Sequence, residues 1–488
     1  MHSLTDLAPT QPYRPPAVVP PDGTLYLQAL QALRNGEAEE AISLMTRALR
    51  WQPTHQGMRR NLVRALLLAE RFEQVMLQAN AALKATPDDA ELHFARGTAL
   101  NALGQSSLAC AAFARALSLR PNHAASWLNM GNASADLGDL ASAEKLYRTA
   151  IDLDAALPEA QASLGYLLTV QGRLKEAIAA CEAAIRLRPD FAQAHWNLAI
   201  AALLGGDLHL GFTEYEWRKR HARFGADFAN LPGPIWDGTA LNGQTILIRA
   251  EQGFGDAIQF ARYLPLIRAR GGNPVLVCAP SLVPLFQSFQ AVSSTDKLPA
   301  YDAWIDQISL PRVFNTTLDS IPAAHGYLGA DPDRVETWRR RLPDGPKVGL
   351  AWAGNPKHSG DQRRSIPGDA VRLLTDKQNV RFINLQFGAA ARGLGLPDLT
   401  EWMTDYAETA ALIETLDLIV TVDTSVAHLA GAMGKPVWIM LPHAPDWRWL
   451  LNRTDSPWYR SARLFRQPTA GDWTSVLAEV AGALSQRV

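Results

Sequence analysis

Between Val422 and Trp438 the chain reads VDTSVAHLAGAMGKPVW, a carboxylate, two hydroxyls and an imidazole where an apolar strand gives way to a helix. In parallel sheets, ligands bind beyond the carboxyl ends of the strands, where helix N-termini point. Asp423 stands at such an end. Thr424 and Ser425 start a helix whose free N–H groups and dipole favour an anion, and a diphosphate fits there. His428, in the first turn, is placed to donate to a phosphate oxygen or to a leaving group. Asp423 itself would repel phosphate, so its expected work is to accept from a sugar or ribose hydroxyl, or to orient the loop. The plainer alternative is an Asp-Thr-Ser capping turn beside a half-buried histidine.

Two further stretches carry polar chemistry. GNPKHSGDQRRSIP (Gly354 to Pro367) follows a strand and is basic; Lys357, Arg363 and Arg364 could there neutralise a diphosphate, or stand in a solvated loop. EQGFGD (Glu251 to Asp256) offers Gly253 and Gly255 as a G-x-G, but the third position is Ile258 and no acid closes the following PVLVCA run. The dinucleotide fingerprint therefore fails. Asp256 has a structural role open to it, as N-cap of the next helix. No metal site is expected. Asp152/Asp154 lie inside a repeat and Asp331/Asp333 read as a helix start, so cations and a helix N-terminus would hold the diphosphate charge.

The elements that must position these residues change character midway along the chain. From TILIRA at 245 the period is that of short parallel strands: TILIRA, PVLVCA and WIDQI in one set, then KVGLAWAG, VRFINLQ, LDLIVTVD, PVWIMLP and ARLFRQ in another. Helices are expected over AIQFARYLPLIRARG, 369–376, 409–416, 425–433 and 472–485, the last crossing back over the first α/β domain.

The first half repeats every 34 residues. Pro53, Pro87, Pro121 and Pro189 share a column with Ala155 in the vacant place; Gly36, Gly104, Gly138, Gly172 and Gly206 share another, with Glu70 the exception. Ala41, Ala109, Ala143 and Ala177 (Val75 the exception), and Ala48, Ala82, Ala116, Ala150 and Ala184, mark close helix packing. The pattern resembles tetratricopeptide repeats, five full units over 22–191 and a degraded sixth over 192–223 whose alanine columns have become Gly211 and Arg218. Such a solenoid implies a concave groove for a protein or peptide; a structural spacer is the alternative.

A formal net charge of -1 gives no electrostatic case for nucleic acid. Cys110, Cys181 and Cys278 are too scattered for a zinc site or a disulfide framework and fit a reducing compartment. The two that fall in the repeats are expected to be buried and inert. No apolar run approaches the roughly 20 residues of a membrane helix. PYRPPAVVPP near the start reads as an extended arm, and the expected location is cytoplasmic.

VDTSVAHLAGAMGKP resembles the donor-site motif of heptosyltransferase-like glycosyltransferases, and QGFGDAIQFARYLP resembles their first strand–loop–helix. KVGLAWAGNPKH, RRSIP and APDWRWLL…DSPWYRSARLFRQP…GDW resemble bacterial proteins that join tetratricopeptide repeats to such a domain. In architecture the whole is similar to protein O-GlcNAc transferases and flagellin glycosyltransferases. The resemblance implies an all-α solenoid followed by an α/β GT-B fold of two Rossmann-like domains: an arm over 1–21, solenoid over 22–223, linker over 224–243, acceptor-side domain over 244–343 and donor domain over 344–488. It also implies a metal-independent glycosyltransferase without a cofactor, using a nucleotide-sugar donor and a Ser or Thr of a protein acceptor presented by the repeats. By position, Asp256 would be the general base, with His428 as the other catalytic residue. Arg364, Lys357, Asp423, Thr424, Ser425, Gly253 and Gly255 would bind the donor. Ser425 replaces the family's glycine, which alters the room beside a diphosphate, and the short 244–343 segment argues against a lipopolysaccharide-type acceptor. The alternatives are a transferase acting on a glycan or lipid carrier and a repeat scaffold that has lost catalysis.

Overall fold

The computed structural model describes residues 23–221, 231–322, 325–357, 360–375, 380–387 and 394–487. The expected arm and part of the expected linker lie outside them. The chain divides into two compact units, 1–198 with 220–223, and 199–219 with 224–488.

Helices fall in consecutive pairs from Gly23–Arg34 and Ala38–Trp51 through Pro158–Val170 and Leu174–Leu187 to Ala192–Leu204 and Leu208–Glu214. The turn inside each pair needs a left-handed residue. Gly36, Gly104, Gly138, Gly172 and Gly206 supply it with φ between 74° and 88°, and Glu70 adopts φ 54° at the same place. Every alanine of the two packing columns is buried, as is Val75. A third column was not read from the sequence. Gly97, Gly131 and Gly165 leave room for Phe113, Tyr147 and Cys181, and a Cβ there would lie 2.4–2.6 Å from those side chains. Cys181 is buried, and desolvation pushes its thiol up to about 12. Cys110 is only half-buried, 3.8 Å from the Ser134 hydroxyl, because its helix position borders the packed face.

The second unit holds two sheets. β1 (Thr245–Arg249), β2 (Asn273–Cys278), β3 (Ala291–Ser293) and β4 (Ala303–Asp306) form the first, in the order β3-β2-β1-β4 and parallel throughout. β5 (Lys347–Ala351), β6 (Arg381–Asn384), β7 (Leu418–Val422), β8 (Val437–Leu441) and β9 (Ala462–Arg466) form the second, in the order β6-β5-β7-β8-β9, again parallel. Every strand read from the sequence is present; β3 is additional. The helix expected over AIQFARYLPLIRARG is broken into Phe254–Phe260, a 3-10 turn and Leu264–Ala269. Pro265, which lacks an N–H and crowds the carbonyl one turn back, accounts for the break. The last helix, Trp473–Arg487, does not cross to the first sheet. Its Trp473, Val476, Leu477 and Val480 share a core with Val371, Leu374 and the second sheet's own Val420 and Met440.

Residues 199–219 pack into this second unit. Gly211 has no room for a side chain, since a Cβ would meet Leu203 at 2.5 Å. Arg218, which occupies an alanine column, is wholly buried and grips Glu251 with Nε and Nη2 at 2.7 and 2.6 Å.

Candidate functional site

β7 is buried on both faces and ends at Val422. The chain then turns through Asp423 and Thr424 into the helix Ser425–Ala432. Thr424 is the N-cap, in extended conformation, but its side chain makes no capping hydrogen bond. The capping-turn alternative therefore lacks its defining bond. The Ser425 hydroxyl instead accepts from Tyr406 Oη at 2.8 Å, and the Tyr406 ring meets Phe254 edge-on.

Asp423 is half-buried and lies among charges. Desolvation and the neighbouring Asp446 push its carboxyl up to about 6, against the pull of Arg364 and Arg448. The Trp449 indole N–H also favours the carboxylate but stays outside hydrogen-bond geometry. An acid whose folded pKa lies above its ordinary value of about 3.9 is stabilising only below that value; its contribution is lost as pH rises through about 6. Asp423→Asn should accordingly unfold at a higher temperature than wild type above pH 6, by the equivalent of about 1–3 kcal/mol, with the two curves converging toward pH 4. Equal melting temperatures across that range would show that the charge is fully compensated.

His428 is buried rather than half-buried. Nδ1 lies 2.9 Å from the Tyr459 hydroxyl and the ring stacks on Trp449 at 5.5 Å. Burial and the surrounding arginines hold its pKa well below the usual histidine value, so the ring is neutral. A hydroxyl donated to Nδ1 leaves the ring proton on Nε2, 3.8 Å from Asp423 Oδ1. Against the other face of this helix comes the N-terminus of Phe254–Phe260. A Cβ on Gly255 would lie 2.6 Å from the imidazole, so glycine is what lets the two helix starts meet.

Asp256 does not cap that helix as expected. Gly253 is the N-cap; Asp256 is the third helical residue and its Oδ2 accepts from the Gly253 N–H at 2.9 Å. Its other oxygen pairs with Arg448 Nη2. Burial pushes the Asp256 carboxyl up from the ordinary aspartate range, opposed by that guanidinium. Arg448 also donates to Gln259 Oε1 at 2.5 Å and to Asp446 Oδ1 at 2.9 Å, and lies over the Trp447 ring at 4.2 Å. Arg448, Asp446, Trp449 and Tyr459 were not assigned roles from the sequence, although the density of aromatic and charged residues in APDWRWLL and SPWYR was there to be read.

Arg364 reaches the same turn. Nη1 donates to the Asp423 carbonyl at 3.0 Å and Nε lies 3.2 Å from Asp361. Asp361 accepts from Ser365, whose hydroxyl accepts from the Gly354 N–H, so the loop after β5 is tied to the loop after β7. Lys357 and Arg363 are exposed and their side chains make no hydrogen bond or ion pair among the described residues. The structure thus brings together Gly253, Gly255, Asp256, Arg364, Asp423, Thr424, Ser425 and His428, and leaves Lys357 outside. Next to this cluster a cavity of about 530 Å³ opens at the carboxyl ends of β1 and β2, lined by Arg249, Gln252, Gly253, Phe254, Cys278 and Ser294 among others. Among the described residues no three His, Cys, Asp or Glu side chains converge as a metal-binding group, and no helix is long and apolar enough to cross a membrane.

Comparison with known proteins gives each half a likeness. Profiles described as Tetratricopeptide repeat match residues 32–97 and, in overlapping segments, 77–211. The profile of Glycosyltransferase family 9 (heptosyltransferase) matches residues 403–441, the stretch that carries Asp423, Ser425 and His428. Protein FlbA of Caulobacter vibrioides is 28% identical over 501 residues, covering 94% of this chain and 83% of that one. Among solved structures, a thermophilic tetratricopeptide-repeat protein of Thermus thermophilus is 23% identical, covering 37% of this chain and 99% of its own, with a TM-score of 0.34. PilW, a widely conserved type IV pilus biogenesis factor, is 19% identical, covering 41% and 91%, with a TM-score of 0.37. The amino-terminal helix pairs are thus similar to tetratricopeptide repeats, and a short stretch of the carboxyl half is similar to glycosyltransferase family 9.

Proposed function

We propose that the chain is a glycosyltransferase of GT-B type, moving a sugar from a nucleotide-sugar donor to the hydroxyl of a Ser or Thr in a protein presented by the repeats. In this reading, 344–488 holds the donor and 244–343 faces the acceptor. The observation that carries it is the start of the helix Ser425–Ala432, whose N-cap side chain makes no capping bond while Arg364 and a buried neutral imidazole stand beside it. An uncapped helix start with an adjacent guanidinium is a site for a diphosphate, and the family 9 likeness covers that same turn.

Asp256 is the base. Burial raises its pKa and so makes it a stronger proton acceptor than an exposed aspartate, and an incoming hydroxyl would displace Arg448 from one carboxylate oxygen. Arg448 would then be free to follow the negative charge of the leaving diphosphate. His428, neutral and proton-bearing, donates to that leaving group or fixes Asp423 on a sugar hydroxyl. Arg364 and the Ser425 helix start take the remaining charge, without a metal or an organic cofactor. The cavity at the ends of β1 and β2 is the acceptor's entry.

The reading is tested by thermal shift with UDP, GDP, CDP and ADP and their sugar conjugates, since a ligand that binds the native state raises its melting temperature. One of them should stabilise the wild type. Arg364→Ala should weaken it by roughly tenfold or more, the loss of a charge-assisted hydrogen bond of about 1.5–3 kcal/mol. Asp423→Ala should also weaken it while remaining folded. EDTA should leave transfer intact. No shift with any nucleotide, or equal shifts in all three proteins, overturns the donor site.

A further inference from the structure

Three consecutive residues of the EQGFGD loop are each gripped from a different direction. Glu251 accepts from Arg218 through two nitrogens and from the Ile308 N–H at 3.2 Å. Gln252 accepts at 3.2 Å from the hydroxyl of Tyr215. Gly253 donates to Asp256. Gln252 is also one of the few non-glycine residues with a positive φ, 61°. A left-handed residue with a side chain costs about 1–3 kcal/mol and persists only where its surroundings over-determine it. Two of the three grips, on Glu251 and on Gln252, come from Tyr215 and Arg218 in 199–219.

The same segment touches the other sheet's loop. Phe212 is buried and meets Phe260 at 6.2 Å, Trp447 at 5.6 Å and Trp458 at 6.5 Å, all edge-on. Tyr215 meets Trp447 as well, at 6.4 Å. Phe260 ends the helix that carries Asp256, and Trp447 adjoins Arg448, the partner of Asp256. Two aromatic side chains therefore bridge the elements that bring Asp256 and Arg448 together. A terminal repeat serving only to close a solenoid would present a polar outer face; this one presents Phe212, Tyr215 and a buried guanidinium.

We infer that the degraded sixth repeat is a positioning element of the catalytic site, with Tyr215 and Arg218 holding residues 251–253 in the strained form that aims Asp256. Neither side chain touches the reacting atoms. The inference rests on the proposed transferase reading for its consequence in turnover, but not for its structural content.

The test uses the full chain with Tyr215→Phe, which keeps the ring packing and removes the hydroxyl that Gln252 accepts from. Without ligand, amide exchange followed by mass spectrometry should be about five- to tenfold faster over 250–256 and unchanged in β5 and β7, with the melting temperature within about 2 °C of wild type. With a nucleotide sugar that shifts the wild type, kcat should fall about tenfold and the donor KM should stay unchanged. Wild-type exchange over 250–256 overturns the inference, and so does a loosened loop with an undiminished kcat. If no nucleotide sugar binds the wild type, the transferase reading fails while the exchange result still decides whether Tyr215 positions the loop.

Discussion

Arg218→Ala should lower the stability of the second unit by about 3–5 kcal/mol, the usual loss when one partner of a buried ion pair is removed and the other stays behind. Arg218 is wholly enclosed and Glu251 nearly so, and the guanidinium also donates to Glu216 at 2.9 Å and to Ser309 at 3.0 Å. Truncation leaves the Glu251 carboxylate without its cation, with the Ile308 N–H still donating to it. Burial already pushes that carboxyl above its ordinary value, so the variant can relieve itself by taking up a proton. The destabilisation should be larger at pH 8 than at pH 5. Urea unfolding of the full chain, followed through the tryptophans near β8, reads the effect. A loss below about 1 kcal/mol would mean that water had reached Glu251. For the same reason a fragment beginning at Leu231 should fail to fold, having lost Arg218 and uncovered Phe260, Trp447 and Trp458, whereas one beginning at Ala192 should fold.

Asp256→Asn in the full chain should slow transfer by about 10²–10⁴-fold, the ordinary range for a lost general base. The amide can still accept from the Gly253 N–H, so the helix start keeps its shape, and Arg448 keeps Asp446 and Gln259. Donor binding should therefore match wild type in a thermal shift while product formation falls. Transfer at the wild-type rate would remove the base role from Asp256 and leave it as a partner that fixes Arg448.

Elements whose signal is local were legible before any coordinates. The 34-residue columns follow from helix packing that repeats, and the strands from apolar runs long enough to be buried on both faces. Asp423, Ser425 and His428 were legible because a strand end and a helix start are adjacent in sequence. β3 was not, being three residues long and lying at a sheet edge with half-buried side chains. The partner of Asp256 was not legible either. Arg448 is 192 residues away, and nothing local marks which loop will meet which. The N-cap role open to Asp256 is displaced by one helical turn: at the third position its carboxylate reaches back to the N–H of the N-cap Gly253. Arg218 was visible as a departure from its column, but only the fold shows that the departure is an ion pair with the neighbouring sheet. Lys357 resembles Arg364 in charge and in loop, yet it stands outside the cluster because its turn faces solvent.

Glu70 turns its helix pair with φ 54° where the other pairs use glycine, and a side chain in that conformation costs on the order of 1 kcal/mol. The apolar core runs through this joint, one cluster extending from Tyr26 to Ala99 on both sides of it, so packing holds the strained turn in place. In a linear array each unit contacts only its neighbours, so a penalty at one joint is not shared along the row. The joint at Glu70 is therefore a local weak link in the row. A partner seated across it would be gripped by a surface that opens and closes at that turn while the repeats beyond it keep their packing.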